Sequence, residues 1–165
     1  MCYMSGIDEL AHFFSEARKI VIIGVGNPIR RDDSIGVEII NELEGKLPAS
    51  VLLVKSEVVP ENFLDPIIEF NPTHVLIIDA ALLNLSPGSV KLVQAREVLK
   101  TAISTHTLPI QVFCAYLAQM SGAKIAMLLI QPEDTGFGEG ITDELDLTKQ
   151  KLVNYLIKIS KSVTN

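Results

Sequence analysis

The chain has 165 residues, 48% of them hydrophobic and 21% charged, a size and apolar content that fit one domain with one core. With 14 basic against 20 acidic side chains the net charge is −6, so no broad cationic field exists to attract phosphates, and nucleic acid is not expected as a partner. Cys2 and Cys114 are the only cysteines, too few for a disulfide framework or a zinc ribbon. Residues 1–18 lack the basic start and apolar centre of a signal peptide, and the longest apolar run, residues 125–130, is far short of the about 20 residues that cross a bilayer. A cytoplasmic protein with no membrane insertion is expected.

Ser5 with Asp8 three positions on has the form of a capping box, and Leu10, Phe13, Phe14 and Ala17 follow at helical spacing. This predicts an amphipathic helix over residues 6–18, additional to a core of residues 20–162. Residues 20–24 form a β-branched run closed by glycine, and Ile35, Ile39, Ile40 and Leu43 recur at helical period up to Gly45, giving strand, loop and helix. A second strand is expected over 51–54 and a helix over 61–70, which Pro66 should kink or cut in two. The third strand spans 75–78. Ser86, Pro87 and Gly88 supply turn chemistry before a short strand at 89–93, read as a hairpin-like edge. Thr107 is placed to cap a helix running to about Gln119, residues 125–130 are a buried strand, and Thr142 is placed to cap a last helix with Leu145, Leu152, Leu156 and Ile159 on one stripe. Parallel strands need helical crossovers that cover both faces. The alternation therefore predicts an α/β fold, a three-layer α/β/α sandwich with a mostly parallel sheet of about five strands.

The loop after the first strand reads Gly24-Val25-Gly26-Asn27-Pro28-Ile29-Arg30-Arg31-Asp32-Asp33-Ser34. A dinucleotide fingerprint would need a third glycine at position 29, where Ile29 stands, and the two carboxylates would repel a pyrophosphate. One aspartate is enough to cap the following helix, which leaves the other for chemistry. Asp79 ends the third strand's apolar run, at the carboxyl edge where open α/β sheets hold their ligands. His106 lies in a polar loop just before a helix start, whereas His12 and His74 read as surface or packing residues. Asp33, Asp79 and His106 thus form a candidate cluster of two carboxylates and one imidazole, a donor set that suits a borderline divalent metal with positions left open.

Four blocks carry a family resemblance: Gly24-Val25-Gly26-Asn27 with Asp32-Asp33; Ile77-Ile78-Asp79-Ala80 with Pro87-Gly88; Thr105-His106 with Pro109; and Ile130-Gln131-Pro132-Glu133 with Gly136-Phe137. In this order and spacing the sequence resembles the endopeptidases that mature [NiFe]-hydrogenase large subunits, most of all the subgroup serving formate-hydrogenlyase or energy-converting hydrogenases. The resemblance implies that Asp33, Asp79 and His106 bind metal. It also implies a substrate, a large-subunit precursor with nickel installed, from which a C-terminal extension is removed.

The sequence shows no Gly-x-Ser-x-Gly elbow, catalytic cysteine arrangement or His-Glu-x-x-His helix. The leading expectation is a carboxylate- and metal-dependent peptidase in which nickel arrives with the precursor and is held only weakly by the free enzyme. Asp33 or Asp79 would position a water or accept its proton. An aspartic dyad would leave His106 without a role. The alternatives are a nickel or precursor chaperone using the same ligands without cleavage, and a nucleotide-binding protein using the Gly24 loop. The precursor's tail is expected in a cleft bordered by residues 57–62 and 134–140, the second a mobile, glycine-rich segment.

Overall fold

A computed structural model of the chain describes residues 5–57, 60–98 and 107–163. Its strands are β1 (Ile20–Val25), β2 (Val51–Ser56), β3 (His74–Ala80), β4 (Val90–Gln94) and β5 (Lys124–Ile130), and its helices are α1 (Ser5–Phe13), α2 (Ile35–Leu43), α3 (Leu64–Phe70), α4 (Ala95–Val98), α5 (Thr107–Ser121) and α6 (Asp143–Val163). The strands form one sheet in the order β2-β1-β3-β5-β4, parallel except for β4, which runs antiparallel to β5. The expected α/β sandwich is what the chain adopts.

The period of two along the strands builds the layers. Ile20, Ile22, Leu76, Ile78, Ala126 and Leu128 face one way and pack with residues of α1, α2 and α6. Val21, Ile23, Val75, Ile77, Ile125 and Met127 face the other way and pack with residues of α3 and α5. Because both faces are covered, β1 and β3 are buried along their whole length, and their centres read as continuous apolar runs. Among the described residues, no helix is long and apolar enough to cross a membrane.

Three local expectations are corrected. The first helix stops at Phe13 and not at residue 18, yet Phe14 and Ala17 still reach the core through turns in which Phe14 N–H donates to Leu10 O and Ala17 N–H to Phe14 O, both at 3.0 Å. Pro66 neither kinks nor cuts a helix. A 3-10 turn (Pro60–Phe63) precedes α3, and Pro66 falls in the first turn of α3, where its missing N–H is one that no carbonyl would have accepted. The fourth strand is an edge strand, but it pairs with β5 and does not fold back on β3.

Candidate active site

The loop after β1 is shaped by close approach. A Cβ on Gly26 would run into Asp33 O, and one on Gly36 into Ile78 O and Val25 O, so these glycines let the start of α2 press against the ends of β1 and β3. Within the loop Arg30 N–H donates to Asn27 O at 3.1 Å and Asp33 N–H to Arg30 O at 3.0 Å, closing a 3-10 turn (Arg31–Ser34) that carries both aspartates.

The two aspartates have different tasks. Asp32 is fully buried, and its carboxylate accepts the N–H groups of Glu133 and Asp134 at 2.9 Å and of Thr142 at 2.7 Å, together with the Thr142 hydroxyl at 3.0 Å. It therefore ties the loop between β5 and α6 to the loop after β1. The start of α2 has no side-chain cap and the Thr142 hydroxyl donates to Asp32, while the side chains of Ser5 and Thr107, the other expected caps, lie outside the described residues. Asp33 is 7% exposed and lines a cavity of about 220 Å³ beside Asn27, Arg30, Ala80, Ala81, Leu82, Pro132 and Thr135. Among the described residues its carboxylate accepts no hydrogen bond and makes no ion pair.

Asp79 is the penultimate residue of β3, fully buried, and in register with Leu129 of β5. The next residues of its chain, Ala80 and Ala81, form the cavity wall. Asp33 and Asp79 thus lie at the same edge of the sheet, one on the cavity and the other just behind its wall. His106 lies outside the described residues. The helix that follows it, α5, is joined to β5 by Gly122 and Ala123 alone, so its end lies at the amino edge of the sheet. A helix of 15 residues and a strand of seven are both about 22 Å long, so α5 begins at the carboxyl edge. Among the described residues, no three His, Cys, Asp or Glu side chains are grouped to hold a metal ion.

The remaining candidates have structural tasks. The His74 ring lies 5.1 Å from Phe13 in an edge contact, at the opposite edge of the sheet, and burial first, then Lys124, lower its pKa. His12 is exposed on α1. Burial pushes the Cys114 thiol up to about 12, which leaves no thiolate for nucleophilic attack.

Sequence reasoning missed two positioning residues. Asp32 reads in the sequence as one of two aspartates either of which could cap the following helix, and only the tertiary fold reveals the donors it serves. Gln131, part of the Gln-Pro-Glu block, is 8% exposed, and its Oε1 accepts Leu83 N–H at 2.7 Å while its Nε2 donates to Pro132 O at 3.0 Å. It thereby fixes the chain after β3 that forms the cavity wall. The segment 134–140 is tied to the loop after β1. Arg31 N–H donates to Gly138 O and Gly138 N–H to Ile29 O, both at 3.0 Å, and Arg30 Nε donates to Thr135 O at 3.1 Å. This segment borders the cavity through Thr135. None of the described residues of 57–62 lines it.

The sequence profile of a family described as hydrogenase maturation protease matches residues 37–159, a stretch that includes Asp79, His106 and Gln131 and begins just after Asp33. A protein of Methanocaldococcus jannaschii assigned to the hydrogenase maturation proteases is 37% identical over 150 residues, covering 86% of this chain and 88% of that one. The hydrogenase 3 maturation protease of Escherichia coli K12 is 26% identical over 137 residues, covering 80% and 87%. The crystal structure of the [NiFe] hydrogenase maturation protease HycI from Thermococcus kodakarensis superposes with a TM-score of 0.84 at 30% identity, over 93% of this chain and 99% of that one. Profile, sequence relatives and fold agree, and the chain belongs to the hydrogenase maturation protease family, a group of hydrolases.

Proposed function

We propose that this protein is an endopeptidase that removes the C-terminal extension of a [NiFe]-hydrogenase large-subunit precursor after nickel has been inserted. Asp33, Asp79 and His106 are the ligands that meet the nickel the precursor brings. The observation that carries this reading is Asp33, a buried carboxylate without a described partner on the wall of the cleft. A carboxylate that lines the cavity and is tied to no described neighbour is available to a metal or a water. Asp79 at the end of β3 and the start of α5 at the same edge support the other two assignments.

Peptide hydrolysis here needs a water to add to the scissile carbonyl and a proton to reach the leaving amine. Nickel borne by the substrate would be met by Asp33, Asp79 and His106 as the recognition element, and once bound there it could supply polarisation of that carbonyl. One of the two carboxylates takes the water's proton and delivers it to the amine nitrogen as the C–N bond breaks. The second holds the charge in place. The free enzyme is expected to retain clearly less than one equivalent of nickel or zinc after dialysis, since its affinity is completed by the precursor. Elemental analysis measures this, and a full equivalent of tightly held zinc would indicate an ordinary metallopeptidase site instead.

The decisive experiment mixes the purified protein with nickel-loaded and nickel-free precursor and follows the large subunit by mass spectrometry. Loss of the extension from the loaded form alone is expected. Binding of loaded precursor with no shortening would assign the chain to a chaperone role.

A further inference from the structure

The mouth of the cleft holds a cation and apolar side chains that the fold leaves uncovered. Leu82 and Arg30 line the cavity with Asp33, and Leu82 is 66% exposed. Ile29 is 56% and Phe137 82% exposed, although the backbone beside each is pinned, Gly138 N–H donating to Ile29 O at 3.0 Å. The Arg30 guanidinium is held from two sides. Its Nε donates to Thr135 O at 3.1 Å, and its centre lies 5.7 Å from the centroid of the Phe137 ring. The two Nη groups remain as donors.

Arg31 next to it is already neutralised, pairing with Asp134 at 3.3 Å. Arg30 makes no ion pair among the described residues, with Asp33 or any other carboxylate. A guanidinium fixed at Nε presents a planar fork that matches a carboxylate in two-point fashion. In a chain of net charge −6, such a local cation also offsets the repulsion an acidic peptide would meet on approach. We propose that Arg30, seated on Phe137, is a specificity determinant that binds a carboxylate in the precursor's tail, with Leu82 and Ile29 covering the apolar part of the same segment. The carboxylate is either an Asp or Glu side chain or the tail's own terminus. This inference rests on the peptidase reading above.

The test is steady-state processing of nickel-loaded precursors that carry Glu, Gln or Lys at successive positions after the scissile bond. Cleavage of the parent precursor by the wild-type protein checks the peptidase reading by itself, and its absence would remove that reading rather than this one. At one tail position Glu should give a KM about three- to tenfold below that of Gln, with kcat within about twofold. Arg30→Gln should erase this preference, Arg30→Lys should keep part of it, and Arg30→Glu should reverse it in favour of Lys. If KM follows the Glu, the side chain is the group read; if the Glu and Gln variants bind alike and extending the tail past its end raises KM for the wild-type protein but not for Arg30→Gln, the terminal carboxylate is. A preference that survives Arg30→Gln, no preference at any position or tail end, or an Arg30→Gln effect confined to kcat would each overturn the proposal.

Discussion

The two edges of the sheet are built from similar residues and do opposite things with them. At the amino edge most of the described polar groups are spent on one another, although His74 Nε2 and Ser50 Oγ are buried without a hydrogen-bond partner. Thr73 Oγ1 accepts the N–H groups of Arg18 and Lys19 at 3.0 and 3.2 Å, Lys124 pairs with Glu16 at 2.7 Å, and His74 is packed against Phe13. At the carboxyl edge Asp32 is satisfied by backbone N–H groups of a distant loop, and that arrangement leaves Asp33 facing a cleft. The hollow at the amino edge is the larger, about 640 against 220 Å³. Size therefore does not mark the site. What marks it is a carboxylate on the cleft wall that no described residue pairs, while its neighbours spend their hydrogen bonds elsewhere.

The sharpest way to break this contrast is to neutralise the cleft acids. Asp33→Ala and Asp79→Asn are each expected to lower processing by about a hundredfold or more while the far-ultraviolet circular dichroism stays that of the parent. Unimpaired cleavage by either variant would remove that residue from the site. His106→Ala is expected to behave in the same way.

Next in size is the clasp. Asp32→Ala leaves several buried N–H groups without an acceptor, and a loss of about 3 kcal/mol in urea unfolding is expected. Asp32→Asn should recover only part of it, because both carboxylate oxygens accept N–H groups and an amide nitrogen in either place would face a donor. A change of similar size from Asp33→Ala would show that the two acids do not divide the work as described.

At the amino edge the effects are smaller. The pKa of His74 is lowered from 6.5, so below that value the unfolded chain takes up a proton that the folded chain refuses, and stability falls as pH drops. Above it both states are neutral and the contribution is flat. His74→Phe, which keeps the aromatic packing on Phe13, should therefore lose less stability than the parent between pH 6.5 and 5, as measured by thermal unfolding across that range. An equal pH dependence in the two proteins would contradict the stated burial. Smallest of all is Glu16→Gln, for which no measurable change in Tm is expected, since both partners of the Lys124 pair are exposed.

The fold class was legible in the sequence because strands buried on both faces must be continuous apolar runs, as residues 20–24, 75–78 and 125–130 are, and because the intervening helices carry their own period. Asp79 was legible as a candidate for a related reason, since an acid directly after such a run has to emerge at the carboxyl edge, and Asp33 stands in the loop that leaves the same edge from β1. Pairing partners were less so. That β4 joins β5 and not β3 depends on which edge of a finished sheet is still open, and no local pattern encodes it. The division of labour between Asp32 and Asp33 was also hidden, because adjacent identical side chains differ only in what the tertiary structure brings to them. The N–H groups of Glu133, Asp134 and Thr142 lie about a hundred residues away in the chain. What ties segment 134–140 to the rest of the chain was hidden on the same ground. Glycine content reports what a backbone is free to do alone, whereas the bonds from Ile29, Arg30, Arg31 and Asp32 that hold it exist only once β1 and β5 lie in one sheet.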